Sequence, residues 1–144
     1  MESFHPMPSL PASTDHDFRP FAANIPESAQ HNRNFRTTLW TGRHLQMTLM
    51  CIPVCGEVGL EMHPHTDQFL RVEAGQALVR AGYTKEKQET LCCLHPGDGL
   101  FIPCGTWHNI LNNGRCPLRL SSVYAPPQHP RGTVHPTKAD ADQA

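Results

Sequence analysis

Proline and glycine punctuate this chain so closely that long helices have little room to form. Among 144 residues stand 14 Pro and 10 Gly, each able to end or bend a regular run. Between them, short stretches alternate apolar and polar residues with period two, the pattern of a strand with one covered face. In 43–54, Leu45, Met47, Leu49 and Cys51 fall on one face and His44, Gln46, Thr48 and Met50 on the other, which predicts a half-buried strand. Runs at 69–73 and 77–81 flank Ala74-Gly75-Gln76, where Gly75 can supply the positive φ of a hairpin turn. A polar stretch with Lys85, Glu86, Lys87 and Glu89 reads as a solvated loop, and further runs follow at 90–94, 99–102, 107–111 and 118–124. Many short strands at this spacing predict one all-β domain, a sandwich or barrel.

The ends of the chain differ from this middle. Residues 1–33 hold Pro6, Pro8, Pro11, Pro20 and Pro26 among polar residues without apolar periodicity, and read as a flexible extension whose His5, His16 and His31 are solvated. The domain then spans 34–126, and 127–144 reads as an extended tail, part of it lying along the domain and its last residues fraying, with His129 and His135 at the surface. Lys plus Arg total 12 against 13 Asp plus Glu, a net charge of −1, which generates no field for gathering nucleic acid or anionic lipid. No apolar run is long enough to span a membrane, and the N-terminus lacks the basic and apolar regions of an export signal, so the expected location is cytoplasmic. Cys51, Cys55, Cys92, Cys93, Cys104 and Cys116 form no Cys-x-x-Cys pair and read as reduced thiols.

The chemistry-bearing residues are histidines. In His63-Pro64-His65 an extended backbone would put both imidazoles on one face, able to share a metal ion. Gln68 has the parity of Leu70 and Val72 and points inward; Asp67 has the parity of Phe69 and Arg71, points outward, and ranks below Gln68 as an oxygen donor. His108 follows a Pro/Gly turn and shares the inward parity of Ile110. Phe69 on an otherwise charged face marks a covered surface such as a dimer seam, and Trp107 and Phe101 read as core or interface aromatics.

These residues resemble the cupin superfamily. Its second motif, G-x5-P-x-G-x2-H-x3-N, is matched at every fixed position by Gly97, Pro103, Gly105, His108 and Asn112. The first, G-x5-H-x-H-x3,4-E-x6-G, is matched in part by His63, His65 and Gly75: the leading glycine is displaced to Gly56, the interval after His65 is one residue short, and Gln68 stands at the Glu position. The resemblance covers 35–126 and implies a double-stranded β-helix, or jelly-roll, barrel. It further implies one divalent ion (Fe, Mn, Ni, Cu or Zn) held by His63, His65, Gln68 and His108. Three imidazoles and a neutral amide would leave the ion its full charge, which suits an anionic or enolisable small molecule. The reading that follows is a metal-dependent oxygenase-type enzyme acting on a small organic substrate. A sugar-phosphate or keto-enol isomerase and a non-catalytic binding or sensing barrel are the alternatives. A homodimer is expected, with neither nucleic acid nor membrane as partner. The catalytic residues are not assigned by the sequence.

Overall fold

The structure is a computed structural model that describes residues 15–16 and 19–144. Its elements in chain order are α1 (Ile25–His31), β1 (Arg36–Thr41), β2 (Gln46–Ile52), β3 (Asp67–Ala74), β4 (Ala77–Thr84), β5 (Lys87–Leu94), β6 (Gly99–Ile102), β7 (Trp107–Asn112), β8 (Leu118–Ala125), β9 (Val134–His135) and α2 (Lys138–Asp142). The strands form a six-stranded antiparallel sheet of order β6-β3-β8-β2-β1-β9 and a three-stranded one of order β5-β4-β7. Met50, Ile52, Leu70, Val72, Leu118 and Leu120 of the larger sheet share one core with Ala77, Val79, Leu94 and Ile110 of the smaller. The predicted all-β domain is therefore present, and its two antiparallel sheets are consistent with the jelly-roll expectation.

The inward parity read for Gln68, Leu70 and Val72 holds, since all three are buried while Asp67 is exposed. Gly75 takes φ +88° at the β3–β4 turn. The strand in 43–54, in contrast, is not half-buried. Gln46, Thr48, Met50 and Ile52 face the interior, and the opposite face is also covered, because Leu49 packs with Ala29 of α1 and Leu39. Thus the expectation of a structureless extension is corrected for Ile25–His31. Pro26 sits in the first helical turn, where its missing N–H costs nothing, and Asn24 caps the helix by accepting a hydrogen bond from the Glu27 N–H at 3.0 Å. Residues 1–14 and 17–18 of that extension lie outside the described residues.

Two more segments gain regular structure. The polar stretch after Tyr83 is mostly strand, with β4 and β5 continuing to Thr84 and Lys87 around a tight turn. The tail returns to the domain: β9 pairs with β1 through Arg36↔His135 and Thr37↔Val134, and Thr137 and Asp140 form a reciprocal cap on α2. Phe69 is covered within the chain by Phe101, whose ring centroid lies 4.8 Å away, so the exposed aromatic on this face is Phe101.

Asn112, the last residue of the second motif, joins three chain segments. Its amide nitrogen lies within hydrogen-bond distance of the carbonyls of Ile52, Pro53 and Cys116, and its oxygen accepts from the Gly114 N–H. Replacing it with Ala removes all of these contacts at once, although the Pro53 carbonyl keeps the Gly56 N–H as a donor. Asn112→Ala is expected to lose about 2–4 kcal/mol of stability, measured by urea unfolding.

Candidate metal centre

The segment before His63 is irregular, yet it is zipped to the edge of β7. Asn112 N–H donates to Gly56 O, Val58 N–H to Ile110 O, and the Glu61 and His108 main chains exchange both hydrogen bonds at 2.9 Å. Residues opposed in this way carry their side chains on one face. Glu61 therefore stands beside His108. His63 is fixed from the other side, where its carbonyl accepts from the Gly105 N–H at 2.8 Å, in a turn that Gly105 enters at φ +81°. As a result, ligand atoms of Glu61, His63 and His108 all lie within 4.8 Å of one another, a group that could hold a metal ion.

The state of these atoms fits a cation. His108 Nδ1 lies 2.9 Å from the Thr106 carbonyl and must be the protonated nitrogen to donate there, which leaves Nε2 with a free lone pair. That Nε2 is buried without a partner, as are His63 Nε2 and Gln68 Oε1. His63 Nε2 lies 3.3 Å from Glu61 Oε2 but not in hydrogen-bond geometry. Burial pushes the His108 pKa down, favouring the neutral ligand form. For Glu61, burial works toward a higher pKa, but the neighbouring His63 and the Arg36 charge outweigh it and hold the carboxyl below its ordinary value. The Arg36 guanidinium is buried and approaches Glu61 Oε1 at 3.5 Å.

Tyr124 links this group to its surroundings. It is directly opposite Gln68 across β3 and β8, and its phenol accepts a hydrogen bond from Gln68 Nε2 at 3.3 Å. The same Nε2 lies 3.4 Å from Ser122 Oγ. The Tyr124 ring meets His63 edge-on at 5.7 Å and His129 at 5.2 Å. Burial pushes its pKa up to about 12, so it stays protonated. His129 arrives from the tail because Gln46 holds that segment: Gln46 Oε1 accepts from the Gln128 and His129 N–H groups, and its Nε2 donates to the His129 carbonyl. His129 and His135 are thus partly buried near Arg36 and not at the surface as expected.

The cupin domain family matches residues 48–124, more than half of the chain. The chain belongs to the cupin family. Among its relatives, the uncharacterized protein YrkC of Bacillus subtilis (strain 168) is 47% identical over 127 residues, covering 88% of this chain and 68% of that protein. The uncharacterized protein L612 of Acanthamoeba polyphaga mimivirus is 32% identical, over 79% of this chain and 70% of that protein. The crystal structure of BH2720 from Bacillus halodurans superposes with a TM-score of 0.86 at 54% identity, covering 91% of this chain and 99% of that one. Oxalate oxidase in complex with glycolate shares the fold at 19% identity and a TM-score of 0.51, over 56% of this chain and 41% of that one.

Of the residues expected at the metal, this cupin brings together His63 and His108, with Gln68 joined to them through Tyr124. His65 does not belong to the group. The chain bends at Pro64 before β3 begins, which breaks the assumed period-two alternation and leaves His65 exposed. Glu61 takes the vacant place. The short interval after His65 was the available signal: shifting the first motif back two residues gives Glu61-x-His63-x4-Gln68-x6-Gly75, with every interval in range. The leading glycine position then falls on Cys55, which adopts a glycine-like φ of +66°. Asp67, ranked below Gln68, instead accepts from the Cys104 N–H at 2.8 Å.

The two frames predict different mutants. His65→Ala is expected to retain metal at the wild-type level, whereas Glu61→Gln, His63→Ala and His108→Ala each lose about tenfold or more in affinity, read by competition with a chelator.

Burial, with help from Arg36, pushes the His129 pKa from 6.5 down to about 3. Between those values the unfolded chain binds a proton that the folded chain refuses, so stability present above the unfolded pKa falls as the pH drops. His108 and His135, also lowered by burial, act in the same direction. His129→Gln is expected to flatten the acid limb of metal-free stability against pH by up to about 1.4 kcal/mol per pH unit, measured by urea titrations across pH 4–7.

Proposed function

We propose that this cupin is a mononuclear metal-dependent enzyme, of oxygenase type, acting on a small organic anion within the jelly-roll expected of its family. The observation that carries the reading is the donor set: two imidazoles and one carboxylate converge, with both imidazole Nε2 atoms buried and unpaired. Two His and one carboxylate with open positions is the ligand set of non-heme Fe(II) oxygenases. Gln68 offers a further neutral oxygen from its unpaired Oε1. When bound there, a divalent ion supplies Lewis acidity and a place for an oxygen ligand.

The chain's own residues set the charge of the site. Glu61 takes one unit from the ion, and the buried Arg36 guanidinium beside it adds one back. The surplus of a full divalent charge in partly desolvated surroundings favours an anionic head group. Tyr124, protonated throughout the physiological range, serves as a hydrogen-bond donor or acceptor and not as a base. Gln68 is held in place by its amide, which leaves its carbonyl oxygen free.

A sugar-phosphate isomerase is less well supported, because the cavity that reaches His108 has no Lys or Arg among its described lining residues. The test has two parts. Protein purified without a metal-binding tag is expected to contain about one equivalent of transition metal by mass spectrometry. Reconstituted anaerobically with Fe(II), it is expected to consume dioxygen when offered a panel of enolisable organic acids. Metal content that is far below stoichiometric and unchanged by Glu61→Gln or His108→Ala overturns the metal site; stoichiometric iron without substrate-dependent oxygen uptake overturns the oxygenase reading.

A further inference from the structure

A cavity of about 450 Å³ opens beside β4, β5 and β6 and the turn at 103–106, and reaches His108. Val79, Ala81, Leu91, Leu100 and Phe101 form much of its wall, with Tyr83 among its lining. No Lys, Arg, Asp or Glu is found among the described residues that line it. Tyr83, Leu91 and Phe101 are 92%, 60% and 79% exposed, an apolar surface of a kind that soluble chains rarely leave bare without a use. The volume falls in the range of small-molecule sites.

We infer that this cavity receives the apolar body of the substrate, so that the substrate class is a small amphiphile: an alkyl or aryl group ending in one anionic oxygen head. The body lies against Ala81, Leu91 and Leu100, and the head is directed past the walls to the His108 end. The inference rests on the metal site proposed above for the head and on the cavity for the body. Polyhydroxylated ligands are disfavoured, because each hydroxyl placed against these walls gives up water without gaining a partner. A sugar phosphate would compete for the ion with its phosphate alone, since no Lys or Arg is found among the described residues of the walls to meet it elsewhere and its hydroxyls face apolar side chains. His108 is shared between the described lining of the cavity and the ligand group, and behind it Arg36 offsets Glu61, so that an ion held there would keep its charge for the head. Apolar walls leading to a cationic end are the negative image of such a molecule.

The experiment uses the full-length, zinc-loaded protein and the straight-chain carboxylates from acetate to octanoate, with binding measured by isothermal titration calorimetry. Each added methylene is expected to tighten binding about threefold to fourfold, until the chain outgrows the cavity. The 1-alkanols of equal length are expected to bind at least tenfold more weakly. Leu91→Asp, a change at an exposed strand position, sets a carboxylate in the wall and is expected to remove most of the chain-length gain, with thermal melts and zinc content as controls of folding. Affinity independent of chain length, or glucose 6-phosphate binding more tightly than octanoate, overturns the inference. So does a flat series together with conversion of a dimer to a monomer by Leu91→Asp, which would make the groove a subunit seam. The two readings fail separately: retained zinc with a flat series strikes only the cavity, whereas lost zinc with a persistent chain-length gain strikes only the metal site.

Discussion

The pair of main-chain hydrogen bonds between Glu61 and His108 sets the register on which the rest of the site depends. A one-residue slip of the segment 56–61 along β7 would turn Glu61 away from His108, because opposed residues alternate faces. The register is pinned well beyond those two bonds. Val58 and Gly56 pair with Ile110 and Asn112, Gly59 N–H donates to the Asn109 side chain, and Asn112 ties the start of the segment to β2 and to the loop before β8. The second motif therefore does more than supply a histidine. Its asparagine fixes the strand edge against which the first motif's carboxylate is placed.

That placement has an electrostatic consequence. A carboxylate moved into partly desolvated surroundings is costly unless a positive charge accompanies it. Arg36 provides one, and it is held by β1 through its pairing with β9. The tail is therefore part of the site's electrostatics as well as of the sheet. Gln46 keeps the same tail in place with hydrogen bonds to the main chain of Gln128 and His129, and Thr41 joins Gln46 to Asp15 of the N-terminal segment. Segments far apart in sequence thus converge behind the candidate ligands.

The parts of the fold that could be read from sequence are those determined locally. The alternation in β3 and β7 places Gln68 and His108 correctly, because each strand keeps one buried face and the turn chemistry of Gly75 and Gly105 marks its ends. The misplacement of His65 has a local cause too: the alternation was extended through Pro64, where the backbone bends. The interval count carried the correction, and Cys55 at a glycine-like φ shows why the leading glycine was hard to find. α1 went unread because Pro26 signals a break within a helix but a start at its first turn. β9 and the position of His129 depend on partners 99 and 83 residues away, and no local period encodes pairings of that range.

The polar and apolar halves of the site are supplied by different parts of the architecture. Arg36, Gln68 and Tyr124 come from the six-stranded sheet, where a polar residue can face inward because its neighbours across the strands are also polar. Much of the cavity wall comes from β4 and β5 of the smaller sheet and from β6 at the edge of the larger one. His108 is the residue that belongs to both: its main chain pairs with Ala81 of the cavity wall on one side and with Glu61 on the other. Its ring is in turn oriented by the Thr106 carbonyl, from the turn that borders the cavity. The apolar cavity and the candidate metal ligand therefore share the turn at 103–106, which lines the one and orients the other.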